Sequence, residues 1–350
     1  MSLANKYRPK TWDDVVEQGV AVEILRKVCE SGNLSNRNFL LTGPAGTGKT
    51  SISRVIGNSL NKGLGNFIEL DAASNSGVEA MRDIVAQAKT YPICGEYKIF
   101  ILDEVHAISS QGWQVLLKCL EESPAKSVFI LCTTNPEKIP RTITSRVQQF
   151  RLSKISSDSI ERRLKYVLDT EISEGADITY SEDALNYLSK LALGGLRDAL
   201  TMLDKVLIYD HNVTYEAVST ALDTPDFDEF FRLLNAIAKR QNSDIADIVD
   251  TVYNSGVNFA KWFKEFHSFV TNILKYILIK DIRRTTIPEY YKDKLSKYSI
   301  SHYNICLQTA QRLLQINQEL KTTSYMQEIV LSRLCVKEQK PNEEPRKVSA

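Results

Sequence analysis

The sequence predicts an α/β domain, a parallel sheet sandwiched by helices, followed by a chain that is helical almost to its end. Short apolar runs near residues 38–42, 67–70, 99–102, 128–132 and 148–152 alternate with helical patterns, as parallel strands joined by helical crossovers do. The first run leads directly into a glycine-rich loop and a helix, "NFLLTGPAGTGKTSISRVIGNSL" at 38–60. Beyond about residue 153 the pattern is helical almost throughout.

A chain of 350 residues is too long for one ordinary domain, and two or three are expected. Hydrophobic residues at 43% and charged residues at 25% are ordinary for a soluble globular protein. The formal net charge is +1, so any surface for nucleic acid must be local. Cys29, Cys94, Cys119, Cys132, Cys306 and Cys335 are scattered without C-x-x-C spacing, which reads as reduced, mostly buried thiols in a cytosolic protein. The start, "MSLANKYRPK", lacks the apolar run of a signal peptide. The most apolar late stretch, "FHSFVTNILKYILIK", is broken by Lys275 and is too short to span a bilayer. A cytoplasmic location and no membrane contact are expected.

Taken in order, residues 39–41 read as a buried strand. Gly43, Pro44, Ala45, Gly46, Thr47, Gly48, Lys49 and Thr50 then match G-x-x-x-x-G-K-[ST] at every fixed position, and Ser51 continues into a helix with Ile52, Val55, Ile56 and Leu60 on one face. The glycines let backbone amides turn inward around phosphate oxygens, and the helix points its positive end at the same oxygens. Lys49 can reach terminal phosphates and the Thr50 hydroxyl can ligate magnesium. ATP and Mg²⁺ are therefore the expected cofactors.

In "YKIFILDEVHAIS", residues 99–102 form a buried run that ends in Asp103 and Glu104. Acids at the carboxyl end of a parallel strand sit in the crevice where such sheets bind ligands. Asp103 is suited to hold magnesium and Glu104 to polarise an attacking water; His106 reads as a structural hydrogen-bonding residue. In "SVFILCTTNPEKIP", Thr134 and Asn135 close the next buried run. They are placed to hold the attacking water or sense a γ-phosphate, or simply to cap the turn before Pro136.

The helical remainder opens with a helix capped by Ser181 and ended by the glycines at 194 and 195. The next helix carries Arg197 in its first turn, where a cation opposes the helix dipole and asks for an anionic partner. From about residue 223 a further helical block runs on through helices near 301–320 and 324–337, with many aromatics and little glycine. Residues 339–350 are polar and contain proline, as a frayed tail does. In "TITSRVQQF", at 142–150, Arg146 stands with nothing in the next few residues to balance its charge.

The chain resembles the AAA+ ATPases of the clamp-loader group, the gamma/tau subunits of bacterial DNA polymerase III most of all. The matching pieces are "KYRPKTWDDVVEQ", "GPAGTGKT", "IELDAASNSGVEAMRDI", "IFILDEVHAIS", "LLKCLEESP", "TTNPEKIPRTITSR" and "GGLRDAL", in family order over about residues 4–205. The resemblance implies an AAA+ domain at 1–152, a helical lid at 153–222, an all-α oligomerisation collar at 223–338 and a flexible tail at 339–350. It implies that Tyr7, Arg8, Pro9 and Val16 line an adenine pocket. Thr134 and Asn135 would be a first sensor and Arg197 a second. Arg146 would be an arginine finger that reaches a neighbouring subunit's ATP. Its charge would then have no local partner because the partner is a phosphate on another chain.

The resemblance further implies an ATP-hydrolysing subunit that works with other clamp-loader subunits, in a five-member assembly, to load a sliding clamp on primer–template DNA. Ser74, Asn75, Ser76 and Arg82 would touch the DNA backbone; the alternative for Arg82 is an intrahelical ion pair with Glu79. A different AAA+ machine, a branch-migration or helicase-loading ATPase, is the competing reading. Two departures stand out. Val147 replaces the cysteine that ends the family's Ser-Arg-Cys motif, and the four-cysteine zinc module after the phosphate loop is replaced by "GNSLNKGLGNFIEL", which can build no zinc site. The chain also lacks the long tau-type extension. These departures point to a divergent or viral relative, or a stripped-down paralogue.

Overall fold

The structure, a computed structural model, describes residues 1–31, 38–64, 67–122, 124, 126–320 and 326–335. Two compact units divide the chain, Met1–Thr214 and Tyr215–Ala350.

The first unit begins with α1 (Leu3–Lys6) and α2 (Gly19–Glu30). Then strands and helices alternate: β1 (Asn38–Thr42), α3 (Lys49–Leu60), β2 (Phe67–Asp71), α4 (Val78–Ala88), β3 (Lys98–Asp103), α5 (Ser110–Glu122), β4 (Ser127–Thr133), α6 (Arg141–Thr144) and β5 (Gln148–Arg151). The strands form one sheet in the order β2-β3-β4-β1-β5, and every pair is parallel. This bears out the sheet read from the apolar runs.

The central strands are apolar on both faces because both faces are covered. Leu40, Phe100, Leu102, Phe129 and Leu131 face α4 and α5, meeting Met81, Ile84, Leu116 and Leu120. Phe39, Leu41, Ile99, Ile101, Val128 and Ile130 face the other way, onto Leu25 of α2 and Ile52 and Ile56 of α3. Phe100 and Phe129 stack at 4.9 Å between ring centroids. That stacking adds about 0.5–1.5 kcal/mol to their area burial.

The unit closes with α7 (Ser157–Ser173), α8 (Glu182–Leu191) and α9 (Leu196–Tyr209), which pack on one another and on α1. Ser181 caps α8, its side chain accepting from the Ala184 amide. Between these helices β6 (Thr179–Tyr180) and β7 (Asn212–Val213) make a small parallel pair. Two-residue strands carry no periodicity, which is why the sequence pattern did not reveal them.

The second unit is helical: α10 (Tyr215–Leu222), α11 (Phe227–Lys239), α12 (Asn242–Asn254), α13 (Phe259–Ile279), α14 (Lys292–Ser296), α15 (Tyr303–Glu319) and α16 (Met326–Leu334). Its core is aromatic. Phe227, Phe230 and Phe231 of α11 interlock with Trp262, Phe266 and Phe269 of α13. The expected tail at 339–350, and residues 324, 325, 336 and 337 of the last expected helix, lie outside the described residues. No helix among the described residues is long and apolar enough to cross a membrane.

Gly57 shows how tightly α3 lies on the sheet. An added Cβ there would sit 2.3 Å from the Phe67 ring and 3.2 Å from buried Ile99. Alanine in place of glycine within a helix normally stabilises by ~1 kcal/mol. Here the overlap reverses the sign, and Gly57→Ala is expected to destabilise the first unit by about 1–3 kcal/mol. A denaturant midpoint moving downward is the expected outcome; an upward shift would show that Phe67 yields freely.

Candidate nucleotide cleft

The register of β1, β4 and β3 builds the site. Thr42 pairs with Thr133, Leu102 with Leu131 and Asp103 with Asp71, so the strands end near one another with Asp103 as the last residue of β3. Gly43 leaves β1 at φ +149°, and a Cβ there would lie 2.4 Å from the Leu152 carbonyl oxygen, so only glycine fits. Gly46 and Gly48 also have positive φ, +72° and +100°. Gly48 is the N-cap of α3 and makes no side-chain cap bond, which turns the helix's leading amides toward the loop.

Lys49 is buried, and its Nζ donates to the carbonyls of Gly43 at 2.9 Å and Pro44 at 2.8 Å. Burial holds its ammonium below the ordinary value, against the opposing pull of Glu104, Cys132 and Asp103. The Thr50 hydroxyl donates to Asp103 Oδ2 at 2.6 Å. These are two hard oxygen donors of the kind Mg²⁺ takes. Among the described residues no cluster of three or more His, Cys, Asp or Glu side chains stands together as a metal site.

Glu104 follows in the left-handed region, at φ +47°. For a residue other than glycine this is a strained conformation that surrounding contacts must impose. Its amide donates to Asp103 Oδ1 at 2.9 Å, and its Oε2 accepts from the Thr134 hydroxyl at 3.1 Å. His106 Nδ1 lies 3.2 Å from the same carboxylate and 3.1 Å from the Thr133 hydroxyl. His106 thus ties β3 to β4, matching its reading as a structural hydrogen-bonding residue.

These groups line a cleft of about 380 Å³. Ala45, Gly46, Thr47, Gly48, Lys49, Thr50 and Ser51 form one wall, with Asp103 and Glu104 at its end. Tyr7, Arg8, Pro9 and Val16 form another, and Arg197 of α9 a third. Gly43 and Pro44 stand behind Lys49 as its carbonyl acceptors. Thr134 reaches the cleft through Glu104; Asn135 is not among the residues that line it, and its backbone amide donates to the Thr133 hydroxyl. The amide of Leu196 donates to the Gly46 carbonyl at 3.1 Å, so α9 is seated on the loop itself. Arg197 has no ion-pair partner among the described residues.

Sequence reasoning missed several groups that complete the cleft. Arg54 and Glu69 line it as a two-pronged pair, with Nε–Oε1 and Nη2–Oε2 both at 2.6 Å. Burial lowers the Arg8 guanidinium from its ordinary value, and the Arg54 and Arg197 cations push the same way. Three arginines therefore converge in the cleft, and Glu69 is the carboxylate that opposes their push on Arg8. The apolar end adds Val15, Ile155 and Leu200. The i,i+5 placement of Arg54 after Lys49 was visible, but Glu69 comes from another strand and no local pattern links them.

Arg146 lies away from the cleft. The expectation that its charge has no local partner is wrong: Nη2 lies 2.6 Å from Glu121 Oε1 at the end of α5, and Nη1 donates to the Thr142 carbonyl at 2.7 Å. Glu121 is 25 positions earlier in the sequence, and only the packing of α5 brings it near. Val147 is buried in the core. Ser74, Asn75 and Ser76 lie on the turn before α4, organised by Asp71, whose carboxylate accepts from the Ala73 amide and the Ser74 hydroxyl. Arg82 is exposed on α4, and the alternative pair with Glu79 is not formed.

The fold and the loop together define the chain's first unit as an AAA+ fold. RuvB of Thermotoga maritima, the Holliday junction branch migration motor, superposes with a TM-score of 0.52 at 17% identity, over 66% of this chain and 79% of that one. A family model described as "DNA polymerase III, delta subunit" matches residues 64–156. The gamma subunit of DNA polymerase III from Buchnera aphidicola subsp. Baizongia pistaciae is 31% identical over 86% of this chain and 87% of its own. The tau subunits of Salmonella typhimurium and Escherichia coli are each 33% identical over 77% and 73% of this chain. The chain spans less than half of those two, 45% and 42%. It belongs to the gamma/tau family of DNA polymerase III subunits.

One wall of the cleft hangs on a carboxylate. Glu171 of α7 accepts from the Tyr7 hydroxyl at 2.7 Å and pairs with Lys6 at 2.8 Å. Burial pushes the Glu171 carboxyl up, but the bonds from Lys6 and Tyr7 outweigh it and hold it below its ordinary value. A depressed carboxyl stabilises above its unfolded value and loses that contribution as pH falls through the folded one. Hydrogen exchange at residues 3–8 is therefore expected to stay slow at neutral pH and to rise as the solution is acidified through the depressed titration of Glu171, ahead of global unfolding. Glu171→Ala should show the fast exchange already at neutral pH; slow exchange in that variant would mean α1 is held otherwise.

Proposed function

We propose that this chain is an ATP-hydrolysing subunit of a clamp loader, which helps open a sliding clamp and set it on primer–template DNA during replication. It would act in the cytoplasm with other clamp-loader subunits in a five-member assembly. The observation that carries the reading is the Thr50–Asp103 contact beside Lys49 and Glu104, at the end of a parallel sheet in a member of the gamma/tau family.

The residues fit a magnesium-bound nucleoside triphosphate. The positive-φ glycines and the open amides of α3 suit the phosphates, Lys49 suits the terminal ones, and Thr50 and Asp103 suit the metal. Thr50 and Asp103 would hold the magnesium, which would supply positive charge against the triphosphate. Glu104 orients the attacking water and accepts its proton, and the bonds from Thr134 and His106 aim its carboxylate. Tyr7, Pro9, Val16 and Leu200 offer the base an apolar slot. Arg8 and Arg197 add positive charge along the phosphates, with Arg197 as the second sensor and Thr134 with Asn135 as the first. Arg146 is the finger for the neighbouring chain's site. The lid would comprise 153–222 and the collar 223–338.

Lys49→Ala is expected to abolish nucleotide binding. Glu104→Gln is expected to keep binding and lower turnover by about 10²-fold or more, since its carboxylate is needed only to activate water. Fluorescent-nucleotide titration and phosphate release separate the two, and normal turnover by Glu104→Gln would refute the assignment.

On this reading Ser74, Asn75 and Ser76 would donate to DNA phosphates without reading sequence, Ser74 and Asn75 exchanging their present bonds to Asp71, and Arg82 would add charge. Arg82→Ala should weaken primer–template binding equally for all sequences. It should also reduce the log–log salt slope by roughly one per contact in the assembly. An unchanged slope, with unchanged stimulation of ATPase by DNA, would remove Arg82 from the interface.

A further inference from the structure

The contact between Glu121 and Arg146 has a consequence for catalysis. Arg146 is anchored from several sides. Val147 beside it is buried in the core, and the amide of buried Asn38 donates to the Arg146 carbonyl at 3.4 Å. The guanidinium is held in turn by the Thr142 carbonyl at 2.7 Å, the Ser145 hydroxyl at 3.1 Å and Glu121 Oε1 at 2.6 Å. A guanidinium carries five N–H donors in a fixed plane, so three contacts orient it and leave donors over.

Glu121 stands on a rigid base. It lies in the last turn of α5, whose preceding residues Leu116, Cys119 and Leu120 are buried against the sheet. The last turn of α5 holds two acids, Glu121 and Glu122, and no basic residue. Carboxylates there face the negative end of the helix and gain nothing from it. A cation from outside the helix offsets that, and Arg146 is the one in contact.

We propose that Glu121 is a positioning residue for Arg146: it fixes the guanidinium, on this chain's surface, in the orientation that meets a neighbouring chain's triphosphate. The proposal rests on the reading of Arg146 as an arginine finger. A free arginine samples many rotamers, and that freedom is lost when it engages a phosphate. Glu121 removes it beforehand, and being half-exposed it leaves the remaining donors open to an anion.

The test uses the full chain in the assembly it forms, with steady-state ATPase measured over a range of ATP concentrations. Arg146→Ala comes first and is expected to lose about a thousandfold or more. An unchanged rate there removes the finger and this inference with it. Given that loss, Glu121→Ala is expected to lower kcat about two- to fivefold, the worth of an exposed ion pair. KM should stay unchanged, because nucleotide is held by the site's own chain. Glu121→Gln keeps an accepting oxygen and should recover most of the rate. Glu121→Ala added to Arg146→Ala should lower nothing further.

Mixed assemblies give a readout that a folding defect does not share. Chains with Glu104→Gln should supply arginine to sites on Arg146→Ala chains. Chains with both Glu104→Gln and Glu121→Ala should supply it two- to fivefold less well. If Arg146→Ala is inactive and Glu121→Ala leaves kcat unchanged, Glu121 does not position the finger. A faster Glu121→Ala enzyme, or an additive loss in the double variant, also overturns the proposal.

Discussion

The hydrogen-bonded register among β1, β4 and β3 is the constraint on which the site depends. It sets Thr42, Thr133 and Asp103 at one edge of the sheet, and the loop, the acid pair and the polar end of β4 issue from those three points. A slip of one residue in a parallel strand turns every side chain to the opposite face. With both faces packed by helices, such a slip would exchange Phe100 and Leu102 for Ile99 and Ile101 against shape-matched neighbours. The core thereby holds the Thr50–Asp103 contact to its 2.6 Å geometry without any bond dedicated to that purpose.

Around that edge the structure concentrates strain and charge. Glu104 is held in the left-handed region, and three glycines of the loop take conformations closed to other residues. Arg8, Arg54 and Arg197 approach one another, with Glu69 held against Arg54. Such an arrangement is unfavourable by itself and becomes favourable with a polyanion present. The aromatic core of α11 and α13 in the second unit is a packing device, dense in edge-on ring contacts.

Arginine positions illustrate two physical situations. Arg54 and Arg146 both meet carboxylates at 2.6 Å, yet Arg54 does so inside the cleft with both prongs, while Arg146 does so on the surface with one nitrogen. A bidentate pair defines an angle as well as a distance. A single-pronged pair needs further contacts to do so, and the Thr142 carbonyl and Ser145 hydroxyl supply them.

What the sequence determined by itself was whatever is contiguous or periodic. Five apolar runs named five strands, and the run from Gly43 to Thr50 named the loop, because strand burial and loop geometry are local properties of the chain. The helical cap at Ser181 follows from one side chain and an amide three residues on. Tertiary structure decided the rest. It closed the cleft by seating Leu196 on Gly46 and by hanging Tyr7 on Glu171 across 164 positions. It paired Arg54 with Glu69, and it supplied Arg146 with the partner that its neighbours in sequence lack. Charges act through space over a few ångströms, and which charges come that close is set by the packing of whole helices and strands, which no short window of sequence contains.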